Sequence, residues 1–255
     1  MHFIDTHAHV YAEELTSDLD LIMKNAVAVG VNKIIMPAID STTLEAMLKV
    51  EQQFPEHCIA MMGLHPCYVK ENYKEELKLV EDWIGKRKFI AIGEIGLDFY
   101  WDKTFTKEQH IVFETQMHWA LDLNLPIAIH TRNAMGETIE AVKPFAKKGL
   151  RGVFHCFSGS KESAEQITGM GFHLGLGGVL TYKNAGVAEA VKDIPMEYLV
   201  LETDAPYLAP VPYRGKTNEP AYMIEVAKKL ADIKSLPLHE IAAITTSNAE
   251  KLFGL

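Results

Sequence analysis

FIAIGEIGLD, residues 89–98, decides the fold. It begins as a continuous apolar run and ends among glycines and two carboxylates, Glu94 and Asp98. An unbroken apolar run suits a parallel strand covered on both faces. A carboxylate at the end of such a strand needs a partner, because an unpaired buried charge is costly. The pattern recurs along the chain, and strands are predicted at 2–5, 33–38, 59–63, 89–93, 126–129, 152–154, 173–176 and 199–202. Several end in ionisable or metal-ligating residues: DTHAH (5–9), IHTR (129–132), VFHCF (153–157) and LETDAP (201–206).

Amphipathic stretches lie between these runs. Helices are predicted at 41–53, 106–124, 133–148, 160–169, 218–234 and 238–253. The second opens Thr106-x-x-Gln109, a capping-box pattern, with Val112, Gln116, Trp119 and Leu123 on one side at helical spacing. Ser41, Asn133, Ser160 and Asn218 mark starts, and Gly169 and Gly171 mark a stop. Eight strands alternating with helices predict a (β/α)8 TIM-type barrel, with a doubly wound open sheet as the alternative. The 255 residues match one barrel with little left over, so a single domain over 1–255 is expected.

Composition narrows the function. Apolar residues make up 48% of the chain, which argues against disorder. Asp+Glu (34) outnumber Lys+Arg (25), giving a net charge of −9. That excludes a protein that coats duplex DNA through a basic surface. It does not exclude an enzyme that admits one strand end into a pocket. The 3 cysteines, Cys58, Cys67 and Cys156, are far apart and form no CxxC, so neither a disulfide scaffold nor a thiolate zinc site is expected. The N-terminal MHFIDTHAHVYAEE shows no signal-peptide pattern, and no run of 18 apolar residues occurs. A cytoplasmic protein without a membrane span is expected.

With 11 histidines, imidazole and carboxylate are the ligands on offer. In a strand, residues i and i+2 face one side, so His7 and His9 converge from one strand end, with Asp5 available to orient a ring. Barrel strands all point their C-terminal ends to one rim, where barrel active sites are built. His7, His9, Glu94, His130, His155 and Asp204 are therefore predicted to meet there. Six ligands exceed what one tetrahedral catalytic ion needs. They suit two divalent cations, with Glu94 bridging. Zn, Mn, Mg, Co and Ni all remain open by ligand type.

In this order the motifs DTHAH, GLHP (63–66), GEIGLDFYWD (93–102), PIAIHTR (126–132), HCFSGS (155–160), LETDAPYLAP (201–210), YRGKTNEP (213–220) and SNAEKLFGL (247–255) resemble the TatD family of metal-dependent deoxyribonucleases. The resemblance covers essentially the whole chain. It implies a barrel that hydrolyses DNA phosphodiesters with divalent cations, often from the 3′ end. It also implies that His7, His9, Glu94 and Asp204 hold the first cation and Glu94, His130 and His155 the second.

Other residues are candidates on the substrate side. His65 is expected to contact the phosphate, by resemblance and by its place after the third strand. Arg132 lies two residues after His130, where a guanidinium can grip phosphate. Arg214 and Lys216 sit in a basic loop and are a second phosphate-binding candidate. Trp101 is the best candidate to stack a splayed base. Catalytic roles are expected for Asp204 as general base, with Glu94 and His65. The expected partner is DNA at a single strand or end. A hydrolase of a small ester, lactone, amide or phosphotriester is the alternative, and a non-enzymatic binding protein is the third reading.

Overall fold

The computed structural model describes residues 1–255. The first half runs β1 (Phe3–Asp5), α1 (Glu13–Thr16), α2 (Leu19–Ala28), β2 (Val31–Met36), α3 (Leu44–Gln53), β3 (Cys58–Ala60), α4 (Tyr73–Lys86), β4 (Ile92–Asp98) and α5 (Thr106–Asp122). The second half runs β5 (Ile127–Arg132), α6 (Met135–Ala146), β6 (Gly152–Phe154), α7 (Lys161–Gly169), β7 (His173–Leu176), α8 (Val187–Val191), β8 (Leu199–Leu201), α9 (Met223–Lys234) and α10 (Leu238–Phe253). Every strand-to-strand pairing is parallel. This is the (β/α)8 barrel expected from the alternation.

The ladders fall into two sheets, β1-β2-β3 and β4-β5-β6-β7-β8. Backbone hydrogen bonds cross both seams. At one, Met62 N–H donates to Ala91 O (3.2 Å) and Gly93 N–H to Met62 O (3.0 Å). At the other, Thr6 N–H donates to Leu201 O (3.1 Å) and Asp204 N–H to His7 O (2.9 Å).

Side-chain alternation divides the core. Ile34 and Met36 join the large layer between strands and helices. Ile35 joins a small cluster with Ile4, Met61, Ala91, Ala128, Val153 and Val200, capped by Ala249, Leu252 and Phe253 of α10. That inner layer fills the barrel, and α10 closes one end of it.

Three expectations change. β4 begins and ends later than predicted, at Ile92–Asp98 rather than 89–93, because its glycines do not terminate it. They permit close approach to β5. A Cβ on Gly96 would lie 1.9 Å from His130 O, and one on Gly93 2.8 Å from the Ala128 Cβ. β5 likewise runs on through His130 to Arg132, in register with Gly96 and Asp98.

The capping box does not form. Phe105 occupies the cap position, the Thr106 hydroxyl donates to Lys103 O, and the Gln109 side chain is spent on Asp98. The buried face of α5 is Gln109, Val112, Phe113, Gln116, Met117 and Ala120, while Leu123 is exposed. Ser41 and Asn133 precede their helices without capping them, whereas Ser160 accepts from Ser163 N–H as expected. Helices α1, α2, α4 and α8 lie where the sequence predicts no element; α4 carries just one fully buried residue, Val80.

Candidate metal centre

Six strands, β1, β3, β4, β5, β6 and β8, deliver polar residues to one rim. Asp5 closes β1, but its carboxylate does not orient an imidazole. It accepts the backbone N–H of His7 (3.2 Å) and of Thr203 (3.0 Å) and the Thr203 hydroxyl. It thereby ties the end of β1 to the segment after β8, which carries Asp204. Asn218 fixes that segment from the other side, its amide donating to Thr203 O (2.8 Å) and Tyr207 O (2.7 Å).

Glu94 is the hub, with a side chain 3% exposed. Its Oε2 lies 3.1 Å from His7 Nε2 and 3.6 Å from His9 Nε2. Its Oε1 lies 2.8 Å from His155 Nε2, 3.0 Å from His130 Nδ1 and 3.2 Å from His65 Nε2. Asp204 Oδ1 approaches His9 Nε2 (3.5 Å) and His7 Nε2 (3.9 Å). All six predicted ligands therefore converge. His65, assigned to the substrate side, comes as close to Glu94 as they do.

Three of the rings have an outer neighbour. His130 Nε2 bonds Asp98 Oδ2 (2.9 Å), and His9 Nδ1 bonds the Tyr11 hydroxyl (2.9 Å), which donates to Pro37 O. Glu202 Oε1 stands 3.5 Å from His155 Nδ1 and accepts from Cys156 N–H. Gly175 makes room for that carboxylate: a Cβ there would lie 2.2 Å from Glu202 Oε2.

The electrostatics are those of a charge cluster in a dry site. Burial works against the ionised form of Glu94, yet His155, His65 and His7 outweigh it and hold its pKa well below the usual range. Asp204 is likewise held down, against burial, by a hydrogen bond from His9 and by His155 and His7. Burial lowers the pKa of His7 and His65. In His130 and His155, carboxylates overcome burial and raise it: Asp98 and Glu94 for the first, Glu94 and Glu202 for the second.

These residues fit divalent cations. Donor atoms of His7, His9 and Glu94 lie within 4.8 Å of one another. So do those of Glu94, His130 and His155, of His7, His155 and Asp204, and of His65, Cys67 and His130. Glu94 belongs to two of these groups. Buried polar atoms without a hydrogen-bond partner also gather here: His7 Nδ1, His155 Nδ1 and Glu202 Oε2, with His173 Nδ1 the single other case.

The chain matches the TatD-related DNase family over residues 4–254. The chain belongs to that family. It is 39% identical to the uncharacterized metal-dependent hydrolase YabD of Bacillus subtilis, covering 98% of both chains. It is 30% identical to the 3′-5′ ssDNA/RNA exonuclease TatD of Citrobacter rodentium, covering 98% of this chain and 97% of that one. Its structure superposes on YjjV, a TatD homologue of Escherichia coli K12, with a TM-score of 0.93 at 29% identity, covering 99% of this chain and 98% of that one. This TatD-family chain is a metal-dependent hydrolase. No helix in it is long and apolar enough to cross a membrane.

The TatD-family centre opens into a cavity of about 860 Å³. His65, Arg132 and Trp101 line it as expected. The Arg132 guanidinium carbon lies 4.0 Å from the Tyr100 ring centroid and 5.0 Å from that of Trp101. Arg214 and Lys216 do not line it; both are exposed and stack on Tyr182 (4.5 Å) and Tyr213 (5.9 Å). Arg132 is thus the one arginine or lysine in the wall.

Cys156 also lines the cavity. Its backbone takes a left-handed turn (φ 46°). Sequence reasoning missed Tyr11, Tyr68, Tyr207 and Cys67 at the site, and nothing in their spacing singles them out. It read Gln109 and Gln116 as helix features. Their seven-residue interval on a buried face was the available signal.

Proposed function

We propose that the protein is a nuclease that uses two divalent cations to hydrolyse DNA phosphodiesters, working from the 3′ end of a single strand. One observation carries this reading: the two oxygens of Glu94 face different imidazoles, His7 and His9 on one side and His130 and His155 on the other. His7, His9, Glu94 and Asp204 would hold one cation, and Glu94, His130 and His155 the other. Cations held there supply positive charge to a phosphoryl group and lower the pKa of water.

The chain's own groups do the rest. Asp204, ionised at neutral pH, takes the proton of the attacking water. Arg132, braced by Tyr100 and Trp101, binds a phosphate oxygen. His65 Nδ1 accepts the Cys67 N–H (3.1 Å), which leaves Nε2 facing Glu94 and the phosphate. Trp101, 66% exposed at the rim, stacks a base, for about 1–3 kcal/mol.

A small phosphoester is the second reading. It is favoured by the single arginine and absence of lysine in the wall, because a long polyanion would draw on more. Single-stranded and duplex oligonucleotides labelled at either end are the test, run beside small phosphoesters and carboxylic esters with defined cations. Cation-dependent release of nucleotides from the 3′ end of single strands is expected. Turnover of small esters without any nucleic-acid cleavage would overturn the nuclease reading.

A further inference from the structure

Helix α5 buries two glutamines that the chemistry above does not use. Gln109 and Gln116 are seven residues apart, so about two turns bring them to one face. Gln109 is 2% exposed and Gln116 fully buried. Each grips one backbone residue with both ends of its amide. Gln109 Oε1 accepts Asp98 N–H (2.9 Å) while its Nε2 donates to Asp98 O (3.1 Å). Gln116 Oε1 accepts Leu64 N–H (2.7 Å) while its Nε2 donates to Leu64 O (3.2 Å). Each amide thus stands in for the neighbouring strand that a residue at a sheet's end lacks.

The two gripped residues lead to different parts of the site. Asp98 Oδ1 is occupied by the N–H groups of Tyr100 (2.9 Å) and Trp101 (3.0 Å), which leaves Oδ2 for His130 Nε2. Leu64 precedes His65, whose N–H donates to Ile39 O (2.9 Å) and whose ring is set by the Cys67 N–H. One path runs Gln109, Asp98, His130. The other runs Gln116, Leu64, His65. They leave the helix two turns apart and meet again only at Glu94 Oε1, where the His65 and His130 rings stand 4.4 Å apart.

We propose that Gln109 and Gln116 are positioning residues with separate duties: Gln109 sets the cation position that His130 serves, and Gln116 sets the phosphate contact of His65. This rests on the two-cation reading of the centre. Glutamines that merely anchored α5 would weaken the fold alike and affect neither function selectively.

Gln109→Met and Gln116→Met keep the side-chain length and remove both hydrogen bonds. Two measurements separate the duties, and neither needs turnover. Zinc content after equilibrium dialysis at fixed free zinc reads the cations. Calorimetry with inorganic phosphate on the zinc-loaded protein reads the anion contact. In Gln109→Met, affinity for one of the two cations is expected to fall by roughly 10–100-fold, the usual effect of losing a ligand's outer partner. In Gln116→Met, both cations are expected to stay while phosphate binds roughly tenfold more weakly, the loss of about one hydrogen bond. Where a methionine variant fails to fold, Gln→Glu at the same position keeps the accepting oxygen and takes its place. Identical profiles in the two variants, or lowered Tm with both affinities intact, would overturn the proposal. Wild-type protein that binds two cations but cleaves no nucleic acid refutes the nuclease reading and leaves this comparison standing. Wild-type protein that binds fewer than two refutes both.

Discussion

Replacing Gly96 by alanine tests the link between strand spacing and the metal centre. Gly96 has φ 147° and pairs with His130 across β4 and β5. A Cβ there would stand 1.9 Å from His130 O, about 1.5 Å inside the 3.4 Å at which ordinary contact begins. The strands must part by that order. A side chain at such a φ costs about 1–3 kcal/mol, and forced overpacking costs about 1–3 kcal/mol more. The sum, roughly 2–6 kcal/mol, lies below most of the ~5–15 kcal/mol that holds a domain folded. The variant is therefore expected to fold, with Tm lowered by roughly 5–20 °C. Its His130 moves with the strand, and a shift of about 1 Å in such a group costs on the order of 10²-fold in rate. Calorimetric melting, zinc content and cleavage of a single-stranded oligonucleotide would be measured together. Gly136→Ala is the contrast, since nothing lies within 4 Å of its added Cβ and it sits in the first turn of α6. It is expected to gain about 0.4–1 kcal/mol with turnover unchanged. A Gly96→Ala protein with wild-type Tm and zinc content would refute the reasoning.

Three further outcomes are expected. Asp204→Asn keeps its circular dichroism and loses at least about 10²-fold in turnover; wild-type turnover would remove Asp204 from the base role. Arg132→Lys gives up the planar fork and its stacking on Tyr100 and Trp101, so KM rises roughly tenfold with a smaller change in kcat, whereas an unchanged KM would count against the phosphate contact. Cation affinity rises with pH, because the raised pKa values of His130 and His155 keep protons on rings that must be neutral to bind a metal. Below those values the proton wins, and above them the cation does. Zinc titrations in two buffers of different ionisation enthalpy are expected to reveal proton release near pH 7, and identical heats would contradict it.

The convergence of His7, His9, Glu94, His130, His155 and Asp204 was legible because each lies in or just after an apolar strand, where a buried imidazole or carboxylate needs a partner. Two kinds of feature were not legible. Glycine in FIAIGEIGLD reads as a strand end, yet Gly93 and Gly96 are there because β5 comes too close for a Cβ. That is a property of the neighbour, which lies 34 residues away at His130. Side chains with two uses were the other kind. Thr106-x-x-Gln109 satisfies a local capping pattern, but the backbone of Asp98 offers Gln109 a donor and an acceptor with no competing water. Charge misled as well. Arg214 and Lys216 are basic and loop-borne, yet aromatic faces outside the cavity hold them.

The two seams between the sheets bear on how the protein ages. His7 and His9 face Asp204 across one seam, and His65 faces Glu94 across the other. Three backbone hydrogen bonds cross each seam, and Thr203 adds its bonds to Asp5 at the first. Cations bridging these residues would work as a hoop works on staves. At a hundred times its dissociation constant, a cation bound solely to the closed barrel adds about 2.7 kcal/mol against opening. Chelation should therefore loosen the seams before it loosens the ladders inside each sheet. Amide protons of Thr6, Met62 and Gly93 would exchange faster in stripped protein, with the adjoining loops the first cut by a protease. Storage free of chelators would then protect the chain itself as well as its activity.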